Sequence, residues 1–131
     1  MIGIATNVLL RLFLADVADQ LRRAQAGFRT ASEEGPVHIN AIVLSEFAWT
    51  LAKGFKLSRA KVAVHRQDVL EADDIDVMLR PAAEAALASY RKGKADFFDY
   101  NLAGINAAVG CTTTLTFDRD ALDHSQFSPV P

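Results

Sequence analysis

The chain has 131 residues, of which 50% are hydrophobic and 23% are charged, and its formal net charge at pH 7 is −2. A chain of this length can bury a sizeable core without covalent staples, and its single cysteine excludes an internal disulfide. The slightly acidic balance excludes a protein that holds nucleic acid mainly through a net positive field, and no apolar run approaches the roughly 18 residues that a membrane span needs.

The first third of the chain predicts two strands separated by two helices. Met1–Ala5 is short, apolar and rich in isoleucine, which is typical of a buried strand. Asn7–Leu14 carries apolar residues at helical spacing, and Asp16–Ser32 reads as a longer amphipathic helix. The Gly35–Pro36 pair stops that helix, and Val37–Asn40 predicts the second strand.

The remaining pattern predicts four more helices, then two strands. The helices are expected at Ile42–Lys53, Ser58–Glu71, Pro81–Arg91 and Asp96–Val109, with a polar turn at Asp73–Asp76. Thr112–Phe117 is rich in β-branched residues and predicts a buried strand that begins beside a buried Cys111. Asp118–Leu122 reads as a turn or short helix, and Gln126–Pro129 as a last edge strand.

Alternation of strands and helices predicts an α/β fold with a mainly parallel sheet that is covered on both faces. No repeat or long linker interrupts the chain, so we expect one domain over residues 1–131. The first residues carry no basic lead and no cleavage site, so we expect a cytoplasmic protein. Ligand sites in such folds lie beyond the carboxyl ends of the strands.

Several carboxylates fall at that end of the predicted sheet. Asp118 follows the strand Thr112–Phe117, and Glu46 lies in the first turns of the helix after the second strand. Asp96 and Asp99 are three residues apart on a helix, so they share one face. We therefore expect Glu46, Asp99 and Asp118 to converge at one rim of the sheet, with Asp96 close by.

Carboxylates gathered without cationic partners repel one another, and a hard divalent cation relieves that repulsion. Mg²⁺ and Mn²⁺ prefer oxygen ligands and retain waters, which suits cleavage of a phosphodiester by metal-activated water. The alternative is that each acid is an ordinary solvated or helix-capping carboxylate, as Asp118 would be at the start of a short helix.

Four segments resemble the motifs of VapC-type PIN domains, and they occur in that family's order. Ile4–Arg11 is similar to the opening D-T-N-V-L-L-R, and Asn40–Glu46 resembles the second motif, whose glutamate is a metal ligand. Ala95–Ala103 looks like the third motif, in which an aspartate leads a buried helix. Cys111–Asp120 resembles the fourth.

This resemblance implies a three-layer α/β/α PIN-like fold and an Mg²⁺- or Mn²⁺-dependent endoribonuclease activity. It also implies a homodimer, and a VapB-type antitoxin that neutralises the toxin in a hetero-oligomer. Carried over by position, the acidic catalytic and metal-binding residues are Glu46, Asp99, Asp118 and the accessory Asp96. The supporting residues are Thr6, Asn7 and Asp120.

Ala5 departs from the family pattern, because an aspartate leads the first motif there and a methyl group cannot ligate a metal. The surrounding residues keep the active pattern, so we interpret Ala5 as a deliberate Asp→Ala change that permits expression of a toxic nuclease. A naturally inactive copy is the alternative, and codon 5 of the source gene decides between them. In either case we expect weak metal binding and little or no nuclease activity.

Basic and aromatic residues suggest further contacts. The candidates for RNA contact are Arg11, Arg91, Lys92 and Lys94, and a wider phosphate-contacting rim would add Lys53, Lys56, Arg59, Lys61 and Arg66. Solvated helix faces explain these cations equally well. Phe47, Trp49, Leu51 and Phe55 are expected mainly in the core, with part of that surface open to a helix of the antitoxin.

Two other functions remain open. The first is a non-catalytic PIN-fold module that acts through antitoxin or RNA contacts. The second is a doubly wound phosphoryl-transfer or receiver domain, which would use an aspartate after a strand with one Mg²⁺. The sequence disfavours the second, because position 5 is not acidic and no lysine follows a late strand.

Overall fold

The computed structural model describes residues 1–14 and 17–131, in which helices alternate with short strands. The elements are α1 (Thr6–Phe13), α2 (Ala18–Ser32), β1 (Val37–Ile39), α3 (Ala41–Trp49), α4 (Arg59–Glu71), β2 (Ile75–Val77), α5 (Arg80–Lys92), α6 (Phe97–Ala108), β3 (Thr114–Thr116) and β4 (Phe127–Pro129), and a π-helical turn at Thr50–Gly54 continues α3. This confirms the predicted order of helices, although the predicted start of the second helix at Asp16 lies outside the described residues. None of the described helices is both long enough and apolar enough to cross a membrane.

The helix starts follow from local chemistry that the sequence already indicates. The Asn40 side chain accepts a hydrogen bond from the Val43 N–H at 2.9 Å and caps α3. The Ser58 hydroxyl accepts one from the Lys61 N–H at 3.2 Å and caps α4. Pro81 lies in the first turn of α5, where its missing N–H costs nothing.

The strands pair in parallel, as predicted, but in two separate two-stranded sheets, β1–β2 and β3–β4. The predicted strand Met1–Ala5 is reduced to a single parallel bridge between Gly3 and His38. Two backbone hydrogen bonds hold it, from Ile4 N–H to the His38 carbonyl and from His38 N–H to the Ile2 carbonyl. The first strand therefore lies along β1, on the side away from β2.

The prediction of a polar turn at Asp73–Asp76 is wrong at its end, because β2 occupies Ile75–Val77 there. Ile75 and Val77 are buried and flank the half-exposed Asp76, which is the two-residue period of a strand. In the sequence, Asp73 and Asp74 directly precede this short strand, so the segment as a whole resembles a polar turn.

The predicted strand Thr112–Phe117 exists as β3, but the prediction that it is buried is wrong. Leu115 is 58% exposed, Phe117 is 86% exposed and Cys111 is exposed as well. Among the described strands, β3 pairs with β4 alone. β-Branched residues indicate extended backbone, whereas burial depends on what the rest of the fold places over it.

The core lies around α3 and α6. α3 is apolar on most of its faces and buries Val43, Leu44 and Phe47, so it runs through the interior rather than over the surface. α6 packs against both α3 and α5. Gly104 of α6 faces Ala82 of α5, where a Cβ would make an ordinary van der Waals contact, 3.4 Å from the Ala82 Cβ.

Gly93 has a separate packing role, in the loop between α5 and α6. Any Cβ at Gly93 would overlap the hydroxyl of the buried Tyr100. That hydroxyl accepts a hydrogen bond from the Ala95 N–H at 3.2 Å. The loop and α6 therefore fit together only because residue 93 lacks a side chain.

We predict that Gly93→Ala lowers the free energy of unfolding by about 1–3 kcal/mol, because the added methyl displaces Tyr100 from a packed site. Gly27→Ala is the matched control: a Cβ at this position of α2 meets no atom within 4 Å. The control is expected to raise stability by about 0.5–1 kcal/mol, because alanine suits a helix interior better than glycine. Urea denaturation measures both changes, and equal effects would contradict the proposed role of Tyr100.

Candidate active site

The first turn of α6 holds two of the predicted acids. Asp96 is the N-cap residue, with extended backbone (φ −70°, ψ 153°), and Asp99 lies in the first turn. The Asp99 N–H donates to the Asp96 carbonyl at 3.1 Å. The positive end of the helix dipole favours negative charge at this turn, which accounts for both acids locally.

Asp118 comes two residues after β3 ends, and its carboxylate is held by a local turn. The Asp120 N–H donates to Asp118 Oδ1 at 2.9 Å, and the Asp118 N–H donates to the Thr116 hydroxyl at 3.0 Å. This is a turn in which an aspartate side chain replaces a backbone acceptor. Asp120 thus supports Asp118 through its backbone, while its own side chain is exposed.

Asp99 lies within the electrostatic influence of two other carboxylates, those of Asp118 and Asp96. Burial raises the pKa of Asp99, the charges of Asp118 and then Asp96 raise it further, and a backbone hydrogen bond from Asp96 partly opposes these effects. No cation is among the causes of this shift. Repelling oxygens of this kind suit a hard divalent cation.

Within residues 1–14 and 17–131, no three or more His, Cys, Asp or Glu side chains are arranged so that they could hold a metal ion. Asp96 and Asp118 are exposed and Asp99 is half-buried. The acids are therefore electrostatic neighbours rather than a closed set of ligands. Their oxygen chemistry fits Mg²⁺ or Mn²⁺, and their present side-chain positions do not form the site.

Glu46 lines the groove between α3 and α6. It is exposed on α3 and is absent from the charges that raise the pKa of Asp99. Its neighbour Ser45 accepts a buried hydrogen bond from the Asn101 side chain at 3.2 Å, which joins α3 to α6. Asp96 and Asp118 thus act on Asp99 through their charges, and the convergence of Glu46 with these acids stays a prediction.

Position 5 has the geometry of a helix cap without a capping side chain. Ala5 is the exposed N-cap residue of α1, with extended backbone (φ −80°, ψ 163°) and no side-chain hydrogen bond. The Gly3–His38 bridge runs in parallel, so Ala5 and Asn40 leave their strands at the same end. Thr6 is buried behind Ala5, and Asn7 is exposed. An aspartate would fit this backbone without strain.

Arg59 organises the loop that leads to the acids. Its guanidinium donates to the carbonyls of Tyr90, Gly93 and Lys94 at 2.7, 3.1 and 3.3 Å, and it lies 3.9 Å from the centroid of the Tyr90 ring. These bonds satisfy carbonyls at the end of α5. Arg59 therefore has a structural use, and the predicted RNA contacts Arg91, Lys92 and Lys94 remain exposed beside it.

Arg66 corrects the prediction of a phosphate-contacting rim, because it is fully buried. Its guanidinium donates to the Leu44 carbonyl at 2.7 Å and lies 3.4 Å from the centroid of the Phe97 ring. Burial lowers the pKa of Arg66 to about 9. Sequence reasoning missed this role, although position 66 shares the helical face of the buried Val62 and Val69.

The PIN domain family model matches residues 4–126 of the chain. The chain therefore belongs to the PIN domain family, and it has that family's three-layer α/β/α fold, as predicted. PIN domains commonly act as metal-dependent nucleases and generally bind divalent metals. No curated protein and no solved structure matches the chain.

We predict that Asp99→Asn raises the thermal stability of the metal-free protein at pH 7. The folded-state pKa of Asp99 is above the ordinary 3.8, so the charged carboxylate destabilises the fold at pH values above that range. The gain should shrink as the pH falls towards 3.8 and below, because the carboxyl is then protonated in both states. Thermal denaturation in chelator across this pH range measures it.

Asp68→Asn is the matched control, since Asp68 is an exposed acid on α4. It removes the same formal charge and should give no comparable pH-dependent gain. Identical responses of the two variants would show that overall charge, rather than the acidic neighbours of Asp99, controls the effect.

Proposed function

We propose that this chain is the toxin of a VapBC-type toxin–antitoxin module, a metal-dependent endoribonuclease with alanine at the position of its first metal-binding aspartate. The observation that carries the proposal is the grouping of Asp96, Asp99 and Asp118 around one turn of a PIN fold. The motif order of the sequence supports it, since all four segments lie within the matched residues 4–126.

In the proposed site, Asp99 and Asp118 would hold Mg²⁺ or Mn²⁺, with Glu46 and Asp96 completing the acidic set. When bound, the ion would activate a water for attack on the phosphodiester and stabilise the charge on the leaving oxygen. The backbone N–H of Asp120 would keep the Asp118 carboxylate oriented. Thr6 and Asn7 would shape the surroundings of position 5.

The cations beside α6 would bind the substrate in this scheme. Arg91 and Lys92 are exposed in the last turn of α5, and Lys94 is exposed on the loop that Arg59 and Tyr100 hold against the start of α6. A cation on a helix or on a restrained loop loses less freedom on binding a phosphate than one on an unrestrained loop. These three residues would therefore place the RNA backbone near the acids.

The antitoxin and the homodimer belong to the same proposal. A groove of about 710 Å³ between α3 and α6 exposes the apolar side chains of Ile42, Trp49 and Phe98. Phe47 and Leu51 are fully buried and leave no surface for a partner. We place an amphipathic helix of a VapB-type antitoxin on this groove, in a hetero-oligomer built on a cytoplasmic homodimer of single PIN domains over residues 1–131.

The same groove supports the alternative of a non-catalytic module. Its exposed aromatic lining suits protein recognition whether or not position 5 can bind metal. A module of this kind would keep its partner contacts and show no nuclease activity after aspartate is restored at position 5.

We predict that Ala5→Asp raises Mg²⁺- or Mn²⁺-dependent cleavage of structured RNA at least several hundred-fold over the parent chain. The reason is that a carboxylate at position 5 supplies a ligand that a methyl group cannot. Mn²⁺ should also raise the melting temperature of the variant more than that of the parent. Chelator should abolish both effects.

Ala5→Asn separates charge from capping, because asparagine caps α1 as well as aspartate does. In the absence of metal, Ala5→Asn should gain as much stability as Ala5→Asp does, and it should have no nuclease activity. Equal cleavage by the parent, the Asp variant and the Asn variant would overturn the nuclease proposal.

A further inference from the structure

A second groove, of about 530 Å³, lies between α1 and α2. Its lining residues are Asn7, Val8, Arg11, Gln20, Arg23, Ala24 and Gly27. The four from α2 are spaced as neighbours on one face of a helix, so a continuous helical face forms one wall. The other wall is the α1 face that starts at Asn7.

Small residues on α2 keep this groove open. Ala24 packs into the protein and is 9% exposed, while a Cβ at Gly27 would meet no atom within 4 Å. A glycine inside a helix costs about 0.5–1 kcal/mol relative to alanine, and here no packing contact uses the absence of its side chain. The space beside Gly27 is therefore open to a ligand.

The polar groups of the groove favour an anion. Arg11 and Arg23 are cationic, Asn7 and Gln20 offer neutral donors, and none of the described lining residues is acidic. This contrasts with the whole chain, in which 16 acidic residues outnumber 14 basic ones. A planar guanidinium with amide donors beside it suits a phosphate group.

Arg23 differs from its neighbour Arg22 in this respect. Arg22 forms an ion pair with Asp19 at 3.2 Å. In the part of the chain that the structure describes, Arg23 is exposed and forms no ion pair. Its charge is therefore available to a ligand in the groove.

The groove also adjoins the proposed active site, since Asn7 follows Ala5 by two residues in the first turn of α1. Phosphates repeat along an RNA chain. An RNA that places one phosphate beside Ala5 therefore places its next phosphates beside the neighbouring protein surface. We propose that the α1–α2 groove binds the phosphodiester backbone of single-stranded RNA next to the cleaved bond, an inference that rests on the proposed nuclease function.

The experiment measures binding of a fluorescein-labelled single-stranded RNA to the parent chain by anisotropy, in chelator and over a range of salt concentrations. Arg23→Gln should weaken binding about 5- to 10-fold and lower the slope of log K against log salt by about 0.7, as expected for one lost phosphate contact. Gly27→Leu should weaken binding about 10-fold or more, because its side chain fills the groove.

Two matched controls accompany these variants. Arg29→Gln removes the same charge from an exposed position of α2 that does not line the groove, and Gly27→Ala removes the glycine without filling the space. Each should change affinity less than 2-fold. Equal effects of Arg23→Gln and Arg29→Gln, or no effect of Gly27→Leu, would overturn the proposal. So would equally tight binding of a polyglutamate peptide, which would indicate an acidic protein segment as the occupant.

The Ala5→Asp background distinguishes this inference from the nuclease proposal. Cleavage by Ala5→Asp with an unchanged KM after Gly27→Leu would refute the groove and leave the nuclease intact. The opposite outcome is also possible to observe: RNA binding weakened by Gly27→Leu, with no RNA cleavage by Ala5→Asp. That result would support RNA binding in the groove and refute the nuclease proposal.

Discussion

Repulsion between carboxylates at the start of α6 is the constraint around which the rest of the structure is arranged. Asp96 and Asp99 share one turn, and Asp118, which follows β3, acts on Asp99 through its charge. Like charges at this spacing separate unless a scaffold holds them, so the surrounding contacts supply the compensating free energy. A divalent cation bound between these carboxylates would replace their mutual repulsion by attraction to the ion. Metal binding would therefore stabilise a turn that is unfavourable without it.

Contacts with three other helices hold α6 in place. The Asn101–Ser45 hydrogen bond joins it to α3, and Gly104 packs beside Ala82 of α5. The buried guanidinium of Arg66 lies on Phe97 while it donates to the Leu44 carbonyl, so α4 also reaches both α3 and α6. Burying a cation with one clear acceptor is costly, and the ring and carbonyl only partly offset that cost. α6, whose first turn carries Asp99, is thus linked to α3, α4 and α5.

Where sequence reasoning succeeded, the signal was local. Asn40 and Ser58 start helices because their side chains reach backbone N–H groups three residues on, and Pro81 starts one because its ring fits the first turn. Where it failed, the outcome depended on distant parts of the chain. Residues 114–116 form an extended strand, yet nothing in their composition reveals that Leu115 stays exposed. Arg66 looks like a surface cation because the partners that bury it come from α3 and α6.

The sequence by itself determined the family, the order of the helices and the acidic positions, since these depend on residue types and short spacings that the chain carries in any conformation. It also determined that position 5 lacks a carboxylate. Only the tertiary structure decided that the charge of Asp118 acts on Asp99, that Arg59 and Arg66 make structural contacts, and that the groove beside Asn7 is open. Those facts depend on how helices far apart in the chain are seated on one another, and packing of that kind is set by the fit of whole surfaces rather than by any local pattern.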